Sequence, residues 1–371
     1  MDFIPVSSPS LSEADAQAVM ECVRAGWISS EGPQVAQFED AFASIVGKRH
    51  AIAVANGTAA LDIAIASLGI GPGDEVILPS FTIISCLNQI LRCGATPVFV
   101  DALPTTWNMD PAAIESLLTP RTKAIIVAHI YGLPADIDEI LLLAQGHNIA
   151  VIEDSAEAHG QHLFGEPLGS FGEISTFSFY PNKLITTGEG GMVLTDNDEL
   201  ADKARSLRNL CFNATQRFVH HEIGWNYRMT AIQAALGLSQ LSRMEELLRY
   251  KIEVGQHYQD LLSGVEGVAL PATAHRGSEN VYWVFGVVLN SDLNITAVEA
   301  MDALSKLGVG TRPFFYPLHL QPVLDKFGVT VQNELPIAEW LGKQGFYLPN
   351  GANLSASQRE YVVGALKEII T

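Results

Sequence analysis

Apolar residues recur along this chain in short blocks separated by polar, glycine-containing turns, and the period inside successive blocks switches between two and about 3.6. His50–Ala55, Glu75–Leu78, Pro97–Val100, Lys123–Ala128 and Ile149–Ile152 are short and almost wholly apolar, which predicts buried strands. Helices are predicted between them over Ala59–Leu68, Phe81–Cys93, Pro111–Leu118 and Ile137–Gly146. Ser12-Glu13 reads as a helix start reaching about Cys22, and Pro33 opens another to about Val46. Glu199–Leu210 and one long segment, Ala231–Leu248, complete the helices of this half. Strands alternating with helices imply an α/β fold with a mostly parallel central sheet, whose ligands sit at the carboxyl ends of the strands.

Past about Tyr250 the pattern changes. Tyr282–Leu289 predicts an aromatic strand, Thr296–Leu307 a helix, and Gly310–Arg312 a short strand before the aromatic loop Phe314–His319. Ile337–Gly342, Phe346–Leu348 and Ser357–Ile369 finish a smaller C-terminal α+β domain. The expected division is residues 1–249 for the large domain and 250–371 for the small one, with an N-terminal arm, 1–32, packing on the small domain.

Candidate chemistry concentrates in Ser175–Gly191, STFSFYPNKLITTGEGG. Thr176–Tyr180 alternates small polar with aromatic residues and predicts a strand, which Pro181 and Asn182 end. Lys183 follows, with no acid before Glu189, and a Gly-rich turn leads to the strand Met192–Thr195. A lysine desolvated at a strand end has a lowered pKa and a nucleophilic amine, as a Schiff-base lysine needs. Asn56-Gly57-Thr58, between a predicted strand and helix, is a ready anion site because a helix N-terminus presents free N–H groups and a positive dipole end. Asp154 closes another predicted strand. An anion turn, an acid at a strand end, the strand serine Ser178 and an isolated lysine together suit pyridoxal phosphate, whose ring nitrogen, phosphate and aldehyde each need one of them.

Composition narrows the field. With 371 residues, 48% hydrophobic and 17% charged, the chain can bury a large core, and no run of about 18 apolar residues predicts a membrane span. A net charge of −19 argues against nucleic acid as a partner. Cys22, Cys86, Cys93 and Cys211 lack CxxC spacing and are expected as free thiols in a reducing cytoplasm. Met1–Ser10 does not read as a signal peptide. His220-His221 do not converge as metal ligands, and no metal is expected. His129 and His159 read as core histidines or as residues backing the site.

The order of blocks also resembles a family. WISSEGP (Trp27–Pro33), NGTAAL (Asn56–Leu61), GPGDEVILPSFT (Gly71–Thr82), GATPVFVD (Gly94–Asp101), IEDSAEAHG (Ile152–Gly160), FSFYPNKLITTGEGGM (Phe177–Met192) and GWNYRMTAIQAALG (Gly224–Gly237) are similar to the nucleotide-sugar aminotransferases of fold type I. WISS, TTGEGGM and TRPFFYPLH (Thr311–His319) look most like the branch that aminates GDP-4-keto-6-deoxymannose to GDP-perosamine for surface polysaccharides. The resemblance implies pyridoxal 5′-phosphate as cofactor, L-glutamate as amino donor, and a homodimer with shared active sites. It implies Lys183 as the catalytic lysine, Asp154 on the ring nitrogen, Glu157 beside the ring oxygen, and Gly57, Thr58 and Ser178 on the phosphate. Asn226 would reach the phosphate of the neighbouring subunit, and Trp27, Asn182, Arg228, Tyr316 and His319 would face substrate. A carboxylate beside the ring oxygen is expected to be protonated or held by a partner, since two negative groups that close do not both ionise cheaply.

Two departures stand out. Relatives place an aromatic residue after PS-x-T to stack on the ring; here the position is Ile83, so either Ile83 lies on the ring or Phe81 compensates. Cys211–His221 differs from the family segment, which leaves open a dTDP- or UDP-linked ketosugar or a keto-octulosonate as substrate. A sugar dehydratase is disfavoured because the resemblance implies histidine in place of Lys183 there, and a non-catalytic protein has no reason to keep Asp154, Ser178 and Lys183 together.

Overall fold

The computed structural model describes residues 2–213, 215–331 and 333–370. Its seven-stranded sheet comprises β1 (His50–Val54), β2 (Glu75–Pro79), β3 (Thr96–Val100), β4 (Thr122–Ala128), β5 (Ala150–Asp154), β6 (Ile174–Ser178) and β7 (Gly191–Thr195), in the order β1-β7-β6-β5-β4-β2-β3. β6, β5, β4, β2 and β3 run parallel, while β7 is antiparallel to both neighbours. The strands are mostly apolar because helices cover both faces, the polar exceptions including Glu153 and Asp154 of β5 and Ser175, Thr176 and Ser178 of β6. On one face lies α3 (Gly57–Ser67), an Ala/Ile/Leu helix with an almost continuous run of buried residues, beside α4 (Ser85–Arg92). On the other lies α2 (Pro33–Val46), opened by Pro33 and closed by Gly47 in the left-handed region at φ 79°.

A second, antiparallel sheet contains β8 (Val268–Ala269), β9 (Phe285–Leu289), β10 (Arg312–Pro313) and β11 (Gly345–Leu348), in the order β8-β9-β11-β10. It shares a core with Val254, Tyr258, Leu304, Val362 and Leu366 from three helices. Ile4, fully buried, joins that core and pairs with Val309.

Three expectations need correction. The helix expected from Phe81 starts at Ser85, because Phe81 is fully buried against the rings of Tyr131, Phe314 and Phe315. The strand expected over Thr176–Tyr180 is Ile174–Ser178. The single helix Ala231–Leu248 is two, Ala231–Leu241 and Met244–Leu262. The chain breaks at Arg243, whose guanidinium turns back onto Asp15 at 2.9 Å and the Ser10 carbonyl at 3.1 Å. The second helix runs unbroken through residue 250, where the domain junction was expected.

Glu153 anchors the approach to β6. Its buried carboxylate accepts N–H groups from Gly169, from Phe171 at 2.9 Å and from Gly172 at 2.8 Å, together with the His129 ring at 3.0 Å. Burial pushes its pKa up, but the bonds from His129 and the loop outweigh this and hold the carboxyl below its ordinary value. A depressed folded-state pKa contributes stability that is present above the unfolded value and lost as pH falls toward the folded one. Glu153→Ala leaves the loop donors without their acceptor and should cost about 3 kcal/mol or more. Chemical denaturation at neutral pH checks this, and the difference from the parent chain should shrink as the pH drops below the carboxylate range.

Candidate active site

The carboxyl ends of β4, β5 and β6 open into a cavity of about 670 Å³, closed at one end by the first turn of α3. Asn56 caps that helix, its Oδ1 accepting the Ala59 N–H at 2.8 Å. The turn sits hard against the end of β6, so that a Cβ on Gly57 would lie 2.7 Å from the Cβ of Ser178. Only glycine allows the approach. Thr58 Oγ1 lies 2.7 Å from Ser85 Oγ, at the start of α4. Free N–H groups, a positive dipole end and the hydroxyls of Thr58, Ser85 and Ser178 thus meet around one corner of the cavity, a cup suited to a phosphate.

Asp154 is the last residue of β5, paired with Thr176 of β6. Its Oδ1 accepts the Ala156 N–H at 3.1 Å and its Oδ2 accepts the Cys86 S–H at 3.3 Å. Burial raises its pKa, against the pull of those bonds and of Lys183. No cation makes a direct salt bridge to it among the described residues. A ring N–H⁺ placed in the cavity would supply what burial withholds.

Lys183 lies just past β6 on the Pro181-Asn182 turn. Its Nζ sits 3.9 Å from Glu157 Oε1 and 3.7 Å from the centroid of the Trp283 ring. Burial lowers its pKa, while the charges of Glu157 and Asp154 pull the other way. Burial raises Glu157 to about 7, with Lys183 and the Tyr131 N–H, bound to Oε2 at 3.0 Å, holding it back. The expected perturbation of this carboxyl is therefore present before any ring oxygen arrives. His129 also borders the cavity; its Nδ1 accepts the Ala135 N–H at 3.0 Å, so its proton sits on Nε2 and points to Glu153. The phosphate cup, the buried acid and the buried lysine together fit pyridoxal 5′-phosphate.

Eight of the residues singled out from sequence line this cavity: Gly57, Thr58, Ile83, Asp154, Glu157, Ser178, Asn182 and Lys183. Ile83 faces it, half-exposed, whereas Phe81 is buried in the aromatic cluster and does not compensate. Five lie elsewhere on the same chain. Asn226 bridges to Asn209 outside the cavity. Arg228 donates to Asn209 Oδ1 at 2.7 Å and borders a separate depression with Ser29 and Arg217. Trp27 and Tyr316 are exposed and outside the cavity. His319 is fixed away from it, its Nδ1 2.6 Å from Ser80 Oγ and its Nε2 3.2 Å from Glu339.

Some lining residues carried a signal that sequence reading passed over. Ser85, Asn88 and Arg92 recur at helical spacing on α4, whose remaining positions are largely apolar. Trp283, whose Nε1 donates to the Asn182 carbonyl at 2.9 Å, comes from the segment before β9 and had no local mark.

Residues 9–367 match the model of the DegT/DnrJ/EryC1/StrS aminotransferase family. The chain is 44% identical to a GDP-perosamine synthase of Caulobacter vibrioides, over 99% of this chain and 98% of that one. It is 40% identical to a GDP-perosamine synthase of Escherichia coli O157:H7, over 99% of each. An aminotransferase of Psychrobacter cryohalolentis superposes with a TM-score of 0.91 at 32% identity, covering 99% of this chain and 98% of its own. The chain belongs to the DegT/DnrJ/EryC1/StrS aminotransferase family and is a pyridoxal-phosphate-dependent sugar aminotransferase of fold type I.

Proposed function

We propose that the chain transfers the amino group of L-glutamate to C-4 of GDP-4-keto-6-deoxymannose, forming GDP-perosamine, and does so as a homodimer. Two relatives with that name, similar over their full length, support the substrate. The observation that carries the chemistry is the burial of Lys183 beside Glu157 in a cavity that also holds Asp154 and the α3 cup. When bound, pyridoxal phosphate supplies an electron sink that acidifies the carbon bearing the amine.

The chain's own residues divide the remaining work. Gly57 and Thr58 offer N–H groups, and Ser178 a hydroxyl, to the phosphate. Asp154, with no cation in direct salt-bridge contact among the described residues, keeps the ring nitrogen protonated. Glu157 in its protonated form would donate a hydrogen bond to the ring oxygen, which its pKa of about 7 allows near neutral pH. Ile83, which lines the cavity, would offer the ring an aliphatic surface. Lys183 provides the amine and moves the proton at the reacting carbon, since burial shifts it toward the free base, against the pull of Glu157 and Asp154. Asn182 borders the substrate side. Asn226, Arg228 and Trp27 lie outside the cavity of their own chain, which suits groups offered to a partner's site; Tyr316 and His319 belong to the same outer ring of proposed substrate contacts.

Lys183→Ala should lower turnover of GDP-4-keto-6-deoxymannose with L-glutamate by about 10³-fold or more, read by mass spectrometry of the amino-sugar. Amination of dTDP- or UDP-linked ketosugars in preference to the GDP sugar would overturn the substrate but leave the chemistry.

The apoprotein's affinity for pyridoxal phosphate should change slope near pH 7 as Glu157 loses its proton, the anionic carboxylate binding less well beside the ring oxygen. In Glu157→Gln, whose amide needs no such proton, that inflection should vanish. Retention of the inflection in the variant would assign it to another group.

Mixing Lys183→Ala protomers with Asn226→Asp protomers should restore activity that each variant lacks alone, because one mixed site then has both native residues. Failure to restore activity, with mixed dimers demonstrated by native mass spectrometry, would remove the shared site.

A further inference from the structure

We propose that Cys86 is a positioning residue for Asp154, its S–H fixing the carboxylate oxygen that orients the acid toward the cofactor ring. The proposal rests on the reading of Asp154 as the partner of the ring nitrogen.

Cys86 lies in the first turn of α4 and is fully buried. It belongs to no disulfide. Its Sγ is 3.3 Å from Asp154 Oδ2, within the range of a sulfur donor. The other oxygen, Oδ1, accepts the Ala156 N–H. One donor comes from the carboxylate's own loop and the other from a helix across the cavity corner. Two donors on the two oxygens fix the carboxylate plane, which a single bond to the adjacent main chain leaves free to rotate.

The sulfur is itself held. Thr82 Oγ1 lies 3.8 Å from Sγ, and because the S–H is directed at Asp154, the hydroxyl donates to sulfur. Thr82, Cys86 and Asp154 thus form a short relay of donors from the PS-x-T turn to the acid. Burial and the nearby Asp154 charge push the thiol pKa well up, so the group stays a neutral donor. A thiol is a weak donor, and that weakness matters here. A cationic donor would satisfy Asp154 and compete with the ring nitrogen for its charge. The thiol orients the carboxylate and leaves most of its charge for the ring.

The same segment has a second tie to the cofactor corner. Ser85, adjacent to Cys86, holds Thr58 of the phosphate cup. The start of α4 therefore touches both groups proposed to grip the cofactor, the acid through Cys86 and the cup through Ser85. Positions 85 and 86 set the separation between those two grips.

The test uses the apoproteins of Cys86→Ala, Cys86→Val, Cys86→Ser and Asp154→Asn. The affinity for pyridoxal 5′-phosphate is read by quenching of tryptophan fluorescence, and circular dichroism of the cofactor's absorption band reports how the ring is held. Melting of each apoprotein controls for folding. Loss of a bond to a buried charge should weaken cofactor binding by about tenfold in Cys86→Ala, with an altered dichroic band. Cys86→Val, which fills the space without a donor, should match the alanine variant. Cys86→Ser, which keeps a donor, should stay within about threefold of the parent. Parent-like binding in both Ala and Val variants would overturn the proposal, as would a serine variant as weak as they are. If Asp154→Asn itself bound like the parent, the assignment of Asp154 to the ring would fail instead; weak Asp154→Asn binding beside parent-like Cys86→Val would sink the positioning role alone.

Discussion

The desolvation of three ionisable groups at the ends of two adjacent strands is the constraint on which this molecule turns. Asp154, Glu157 and Lys183 are all withdrawn from water, and isolated buried charges of this kind are costly. The fold tolerates them because Lys183 limits the penalty of both acids and they limit its own, although the Asp154 charge adds to the cost of ionising Glu157. Lys183 stabilises the anionic forms of both acids, and they in turn oppose the loss of its proton. The partial nature of this compensation is what makes the site reactive. A fully satisfied Lys183 would be an inert ammonium, whereas burial shifts this one toward the free base, 3.9 Å from a carboxyl whose own pKa is raised to about 7.

That arrangement needs a rigid frame, and the frame is built from close approaches. Gly57 lets α3 meet β6, and Gly191, at the start of β7, is equally confined: a Cβ there would lie 2.5 Å from the Asn56 carbonyl oxygen. The two glycines bring β1, β6, β7 and α3 to one point, so the phosphate cup and the lysine turn cannot drift apart. Glu153 does comparable work from behind. It ties the loop before β6 to β5, the strand that ends in Asp154, and accepts a hydrogen bond from the His129 Nε2–H that faces it. Adjacent residues of one strand therefore divide the labour, Glu153 satisfied by its donors and Asp154 left without a cationic partner, as its proposed role on the ring nitrogen requires.

Much of this was legible in the residues. The parallel strands announced themselves as short apolar runs, because a strand buried on both faces has no polar side to alternate with. Asn56-Gly57-Thr58 and Lys183 are each ordinary residues for a loop, and stood out only in combination with Asp154, Ser178 and the blocks around them. What could not be read were relations between distant segments. The break at Arg243 depends on Asp15 and Ser10, far away in sequence, and a helical period running through it gave no warning. Phe81 looked like the start of a helix and a candidate for the ring face, but its burial is decided by Tyr131, Phe314 and Phe315. Cys86, on α4, carried no motif at all; its meaning comes from a carboxylate oxygen at the end of β5.

Trp283 shows how the second sheet enters the chemistry. Its indole N–H holds the Asn182 carbonyl while its ring lies against the Lys183 amine, so a single side chain fixes both the turn and the residue that the turn presents. An ammonium on an aromatic face gains from the ring's quadrupole, and a neutral amine does not. Trp283 thus favours the protonated lysine, in the same direction as Glu157, but without a titrating group of its own. Its contribution is constant across pH, whereas that of Glu157 disappears when the carboxyl takes up its proton. The two partners therefore give Lys183 a fixed and a variable source of stabilisation.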